Sequence, residues 1–359
     1  MRIQAALIGC GRIGSKKHLE AFLANRELLD LTAVCDLKRE RAEQIAETYA
    51  ARTGKRPAVF TDYRKALDRE LEMVTIATES GYHYAIAMDC LERKVHTLVE
   101  KPMALSVSEM DQMIRRAKEH LVKLGVCFQN RFNPSVQEVA KKMREKAFGR
   151  VFTATARILW NRNEAYYKQA DWRGTWRLDG GTLMNQCAHN IDLLQWVLGG
   201  EIDEVTAVIR NYHHPYLEVE DFGAALISFK NGSVGILEGT SNVYPHNLEE
   251  TLSIFGENGT VVLGGLAVNK IQTWQFPGES SHPFSALPDP ESVYGSGHIP
   301  LFKDFYEAIT QDRDPYITGE EGKKAVEIIL GIYQSHKEKR AIPFPLGPFR
   351  STDMAGVTL

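Results

Sequence analysis

The stretch Ala6-Leu7-Ile8-Gly9-Cys10-Gly11-Arg12-Ile13-Gly14 sets an apolar run against a Gly-x-Gly-x-x-Gly turn. An acidic residue, Asp36, closes a second apolar run, Leu31-Thr32-Ala33-Val34-Cys35, roughly 20 residues on. A strand that ends in such a turn and feeds a helix is the dinucleotide fingerprint. Gly9 permits the tight turn, Gly11 lets the backbone approach a pyrophosphate, and Gly14 lets the helix pack on the strand. Arg12 and Ile13 complete the turn, and the helix N-terminus presents unpaired N–H groups and partial positive charge to phosphates. Asp36 is placed to accept hydrogen bonds from an adenosine ribose and to repel a 2′-phosphate, so NAD is favoured over NADP. Lys38, Arg39 and Arg41 follow closely and read as the solvated start of the helix Lys38–Ala51.

With 359 residues the chain outgrows one hydrophobic core, which rarely passes ~250–300 residues, and two domains are expected. A 43% hydrophobic and 25% charged composition is that of a globular protein. The formal net charge of −3 gives no basic surface for nucleic acid. The first residues already read as a strand, so no signal peptide is expected, and no apolar run reaches the ~20 residues of a membrane span. The five cysteines form no Cys-x-x-Cys pair and read as reduced thiols, which points to the cytoplasm.

Residues 3–128 alternate strand-like and helix-like segments, the pattern of a parallel sheet with crossover helices. Further strands are expected at Val59-Phe60, Met73–Ala77, Val95–Val99 and Leu124–Phe128, with helices at Tyr63–Leu67, Tyr84–Glu92 and Ser108–His120. Beyond Arg131 the rhythm changes. A helix over Ser135–Glu145 leads to a strand at Arg150–Leu159, an irregular aromatic segment through Trp176, and a helix near Gln186–Leu198. Alternating strands follow at Glu204–Tyr212, Asp221–Phe229, Ser233–Thr240, Glu250–Gly256 and Gly259–Leu263. The turn signals Asn231-Gly232 and Asn258-Gly259 predict a largely antiparallel sheet. Residues 275–298 are rich in Pro, Gly and Ser and predict a surface loop. Two helices, Pro300–Thr310 and Gly319–Lys337, close the pattern.

Three further motifs carry chemistry. Strand ends bear Thr78-Glu79-Ser80-Gly81-Tyr82-His83 and Glu100-Lys101-Pro102, and the second half holds Asp179-Gly180-Gly181-Thr182-Leu183-Met184-Asn185-Gln186-Cys187-Ala188-His189-Asn190-Ile191-Asp192. Lys101 would stand at the carboxyl edge of a parallel sheet, where open α/β proteins bind ligands. There its ammonium would bond a substrate hydroxyl and stabilise developing alkoxide charge. Asn185 and His189, four apart on an expected helix, share one face. Histidine suits proton transfer because its unperturbed pKa lies near neutrality.

With the glycine turn, these motifs resemble the glucose–fructose oxidoreductase and inositol dehydrogenase family of NAD(P)-dependent sugar oxidoreductases. The resemblance runs from residue 1 to about 340. It implies a Rossmann domain over 1–128, then an α/β domain over 129–359 with a large open, mostly antiparallel sheet. The C-terminal helices are expected to pack back on the first domain, and the free sheet face to make a homo-oligomer, a dimer or tetramer. It also implies that Lys101 is catalytic, that the Lys-Pro bond is often cis, and that His189 is the general acid/base. The family usually has Asp at the position of Asn185. An amide orients a hydroxyl but takes no proton, so proton transfer falls on His189, with Asp192 steadying the helix or the imidazole.

Gln129-Asn130-Arg131-Phe132-Asn133-Pro134, Asp171-Trp172-Arg173-Gly174-Thr175-Trp176 and Leu183-Met184-Asn185-Gln186 resemble the bacterial UDP-N-acetylglucosaminuronate 3-dehydrogenases. This implies oxidation of the carbon-3 hydroxyl of a nucleotide sugar, although Asp179-Gly180-Gly181 has one glycine fewer than their usual run. Arg131 and Arg157, with Asn163 and Tyr166, are expected to meet a carboxylate or diphosphate. Thr78, His83, Glu100, Trp172 and Arg173 are expected near the nicotinamide. His213-His214 lacks ligands at metal spacing, so no metal is expected, and Cys187 reads as a small apolar filler. Two alternatives stay open: another sugar or inositol dehydrogenase, and a non-catalytic NAD-binding regulator.

Overall fold

The computed structural model describes residues 2–286 and 295–359. Part of the loop expected over 275–298 lies outside the described residues. The chain divides into two compact units. One comprises Met1–Ala104, Ser108–Phe128 and Ser296–Lys323; the other comprises Leu105–Val107, Gln129–Gly295 and Lys324–Leu359.

The first unit is built on six parallel strands: β1 (Ile3–Ile8), β2 (Leu29–Cys35), β3 (Ala58–Phe60), β4 (Met73–Ile76), β5 (His96–Glu100) and β6 (Leu124–Cys127). Their spatial order is β3-β2-β1-β4-β5-β6, with every neighbouring pair parallel. Strands β1, β2 and β4 are buried along nearly their whole length because a parallel sheet is covered on both faces. The order reverses between β1 and β4, the switch point where such sheets take ligands at their carboxyl ends. The helix His298–Thr310 belongs to this unit and packs on the helix Leu19–Ala24 and on β6.

The second unit carries eight strands: β7 (Val151–Leu159), β8 (Ile202–Arg210), β9 (Phe222–Phe229), β10 (Val234–Thr240), β11 (Glu249–Gly256), β12 (Thr260–Gly264), β13 (Lys270–Gln275) and β14 (Ile342–Pro343). The order is β13-β12-β11-β7-β10-β9-β8-β14. Pairing is antiparallel except between β7 and β10, which run parallel. One face buries Ala154, Ala156, Ile158, Ile227, Leu237, Leu252 and Ile254, and the helix Ala188–Leu198 packs on β7, β10 and β11. The opposite face is open: Leu226 is 53% exposed and pairs across with Ile236, 40% exposed. Strand alternation explains both faces, since successive side chains point to opposite sides.

Two helices begin with a widened π turn, Gly14–His18 after the glycine turn and Leu183–Cys187 before the helix Ala188–Leu198. Turns of this kind recur at functional sites.

Candidate active site

In the first unit the turn after β1 is fixed by contacts that only glycine allows. Gly9 has φ +96°, and a Cβ there would stand 2.5 Å from the Ala77 carbonyl; one on Gly14 would stand 2.1 Å from the Gly9 oxygen. A Cβ on Gly11 would meet nothing within 4 Å, the open approach a pyrophosphate needs. Arg12 is exposed and Ile13 half-buried. Asp36 closes the turn, accepting from Cys10 N at 2.8 Å and Lys38 N at 2.9 Å. Each carboxylate oxygen has a second lone pair, so Asp36 keeps acceptor capacity for ribose hydroxyls. The residues present fit a dinucleotide.

Lys101 follows β5, half-buried, and its bond to Pro102 is cis. The expectation that His83 and Glu100 face a ligand is corrected by the structure. His83 is 1% exposed, with Nδ1 2.7 Å from the Pro102 carbonyl and Nε2 3.1 Å from that of Thr78. Burial lowers its pKa despite those carbonyls. Glu100 also points inward, and its Oε2 accepts the Lys101 main-chain N–H at 3.1 Å. Both brace the turn from behind. Thr78 stays half-buried at the end of its strand.

In the second unit, every residue from Gly181 to Asn190 is buried except Asn185 and His189. The face they share therefore survives the π turn, although Asn185 lies within it and His189 in the α-helix that follows. The Asn185 amide donates to Asp179 Oδ1, and Asp179 Oδ2 accepts from Gly174 N at 2.7 Å. This fixes which end of the amide is which. The Gln129 amide nitrogen lies 3.1 Å from His189 Nε2. Beneath the π turn, Glu220 accepts from Leu183 N at 2.7 Å and from the Tyr333 hydroxyl at 2.9 Å. Burial pushes its carboxyl up to about 8. Sequence reasoning left Asp179, Gln129 and Glu220 without roles. Asp179 opens the Asp-Gly-Gly run and Gln129 the motif Gln129–Pro134, so both were open to recognition; Glu220 carries no local signal.

The expected anion-binding arginines are corrected too. Arg131 is 1% exposed and donates Nε and Nη2 to Asp192 at 2.8 and 2.6 Å, with the Trp196 ring 5.6 Å away. Asp192 thus serves Arg131. Arg157 lies on the open sheet face, held by Glu238 at 3.0 Å and Glu249 at 2.9 Å, because alternation along β7 turns it away from the helix of His189. Asn163 spends its side-chain oxygen capping the helix Glu164–Tyr167. Two guanidiniums lie over the Tyr166 ring, Arg173 at 4.0 Å and Arg162 at 5.1 Å, and the Tyr166 hydroxyl accepts from Gln186 at 2.9 Å. Arg173, beside half-buried Trp172, has Nε and Nη1 buried without a hydrogen-bond partner among the described residues. Those donors suit a bound polar group. His214 is structural, bonded to Asp221 and to the Arg162 carbonyl, and Cys187 is buried.

Comparison with known proteins adds a family. Residues 3–128 match the family model of oxidoreductases with an NAD-binding Rossmann fold, and residues 136–262 match the GFO/IDH/MocA C-terminal domain. A WlbA dehydrogenase from Bordetella pertussis, solved with NADH and UDP-GlcNAcA, is 32% identical, with a TM-score of 0.84 over 97% of this chain and 100% of that one. A myo-inositol 2-dehydrogenase of Thermotoga maritima is 22% identical over 95% of this chain and 98% of its own. A UDP-N-acetylglucosamine 3-dehydrogenase of Acidithiobacillus ferrooxidans is 27% identical over 66% of each. No helix among the described residues is long and apolar enough to cross a membrane. Glycine turn, Asp36, Lys101 and His189 all lie within the matched residues, and the chain belongs to the GFO/IDH/MocA family as an NAD-dependent oxidoreductase.

Proposed function

We propose that this enzyme oxidises the carbon-3 hydroxyl of a UDP-linked N-acetylhexosaminuronate. The observation that carries the reading is the near full-length likeness, at 32% identity, to a dehydrogenase solved with NADH and UDP-GlcNAcA. Lys101 bonds the reacting oxygen and stabilises the developing alkoxide. His189 takes the hydroxyl proton, and Asn185, oriented by Asp179, holds a hydroxyl of the sugar. Hydride acceptance is the chemistry NAD supplies when bound. Arg173 and Trp172 meet a polar group of the cofactor. Tyr166 contacts the acidic groups of the substrate.

The protein works as a homo-oligomer through the open face around Leu226 and Ile236. Its five buried thiols support a reducing, cytoplasmic setting. The test is incubation with NAD and UDP-GlcNAcA, UDP-GlcNAc or myo-inositol in parallel, following NADH absorbance. Reduction with UDP-GlcNAcA at the highest kcat/KM supports the reading. Reduction with inositol alone replaces it with the activity of the Thermotoga relative.

A further inference from the structure

Behind the Lys101 turn lies a buried cluster that the reaction above does not use. Glu100 is 7% exposed, and its Oε1 lies 3.0 Å from His18 Nε2 and 3.0 Å from His298 Nε2. Its Oε2 accepts the Lys101 main-chain N–H. An ionised carboxylate only accepts, so both Nε2 atoms carry hydrogen. His18 Nδ1 lies 2.7 Å from the Thr75 hydroxyl. His298 Nδ1 is buried with no hydrogen-bond partner among the described residues. Burial lowers the pKa of His18 against the pull of Glu100.

The cluster gathers distant parts of one unit. His18 ends the π turn that follows the phosphate-binding glycines, and His298 opens the helix His298–Thr310. The Phe302 ring packs edge-on against His18 at 5.3 Å and Phe22 at 5.2 Å, fixing the approach of the two segments. On the far side of Lys101, His83 holds the Pro102 carbonyl. We propose that His18 and His298 are positioning residues for Lys101: together they pin one oxygen of Glu100 and aim the other at the Lys101 main-chain N–H. The proposal rests on the reading of Lys101 as the residue that serves the substrate hydroxyl.

The titratable groups around Glu100 are His18, His298, His83 and the Cys127 thiol, whose pKa burial and Glu100 raise; its chain neighbour Lys101 bonds it through the main-chain N–H. Burial alone would push the Glu100 carboxyl up, but the bonds from His18 and His298 hold it well below the usual carboxylate range. Losing one imidazole donor would let Glu100 take up a proton and withdraw a negative charge from beside Lys101.

His298→Leu tests this. With NAD affinity within about twofold of native, kcat should fall about 10- to 100-fold with KM little changed, the effect of one hydrogen bond to a charged group. His298→Gln, which restores an N–H, should recover most of that loss. A second measurement needs no turnover: acetylation of Lys101 by acetic anhydride as a function of pH, read by peptide mass spectrometry. The midpoint should fall in His298→Leu and return in His298→Gln. Thr75→Val, which removes only the hydroxyl beside His18, should shift it in the same direction by less, and serves if His298→Leu does not fold. If UDP-sugars are not oxidised, the kinetic arm falls with the proposed function while the labelling arm still decides this one. An unchanged labelling midpoint in folded variants overturns the proposal. So does stoichiometric zinc in the purified protein, because His18, Glu100 and Cys127 offer ligand atoms within 4.8 Å of one another and would then face a metal.

Discussion

Asp192 accepts both Nε and Nη2 of Arg131, at 2.8 and 2.6 Å, and neither side chain reaches solvent. The pair ties the segment Gln129–Phe132 to the helix that carries His189. A buried pair broken on one side leaves an uncompensated charge. Arg131→Ala should therefore cost about 3–5 kcal/mol in urea unfolding, and Asp192→Ala a similar amount. The double replacement Arg131→Met with Asp192→Leu should cost clearly less than the sum. An Arg131→Ala protein of native stability but poor substrate affinity would restore Arg131 to the role of ligand.

Asp36 should decide the cofactor. Asp36→Ala removes the acceptor of Cys10 N and the charge that opposes a 2′-phosphate. NAD affinity should drop about 10- to 100-fold while NADP affinity rises, measured by fluorescence titration. Equal affinity of the native protein for both cofactors would defeat the charge argument.

Lys101→Ala and His189→Ala should each lower kcat by ~10²–10⁴ with NAD binding largely kept. Because both are assigned to one oxygen, the double variant should be little worse than either single one. Asn185→Ala should be milder, and Asp179→Ala should resemble it, since Asp179 acts through the Asn185 amide. Steady-state kinetics with saturating NAD separates these cases; full activity in His189→Ala removes the acid/base assignment.

Two carboxyls in the second unit should set a pH slope of stability. Burial pushes both Glu220 and Glu250 up from 4.5 to about 8. Folded, they keep a proton that the unfolded chain has already lost. Stability is full below the ordinary carboxyl range and declines as pH rises toward about 8, by about 1.4 kcal/mol per pH unit for each group. Urea melts between pH 5 and pH 9 should show this decline, and Glu250→Gln should flatten it. A flat profile in the native protein would mean that both are ionised when folded.

The open sheet face should hold subunits together. Leu226→Glu places a charge on the paired row of Leu226 and Ile236 and should lower the sedimentation coefficient without weakening NAD binding. A native protein that sediments as a monomer at micromolar concentration would rule the interface out.

The first sheet was legible because buried parallel strands are short apolar runs separated by helical periodicity, and all six are found. The glycine turn and Asp36 were legible for the same local reason. Strand β14 was missed because it is two residues long and contains Pro343, and β13 because Lys270–Gln275 alternates only weakly. The parallel pairing of β7 with β10 joins strands far apart in sequence, which hairpin signals cannot report. Arg131 looked like a ligand because its partner stands 61 residues away. The fate of Arg157 was readable: Ala154, Ala156 and Ile158 mark the covered side of β7, and Arg157 falls between them. The inward turn of His83 and Glu100 had no such signal: Glu100 ends β5, a strand buried on both faces, and His83 opens a helix.

The widened turns at Gly14–His18 and Leu183–Cys187 make chain length, more than residue identity, the sensitive variable at these two places. A π turn holds one residue more than an α turn, so removing one residue lets either turn close to α geometry with its flanks in phase, whereas adding one rotates one flank by about 100° against the other. An added residue in the first turn would leave the glycines on the strand and swing His18 away from Glu100. In the second, one added between Asn185 and His189 would part the two on the helix surface. Substitutions at Ser15 or Lys16 leave that phase untouched.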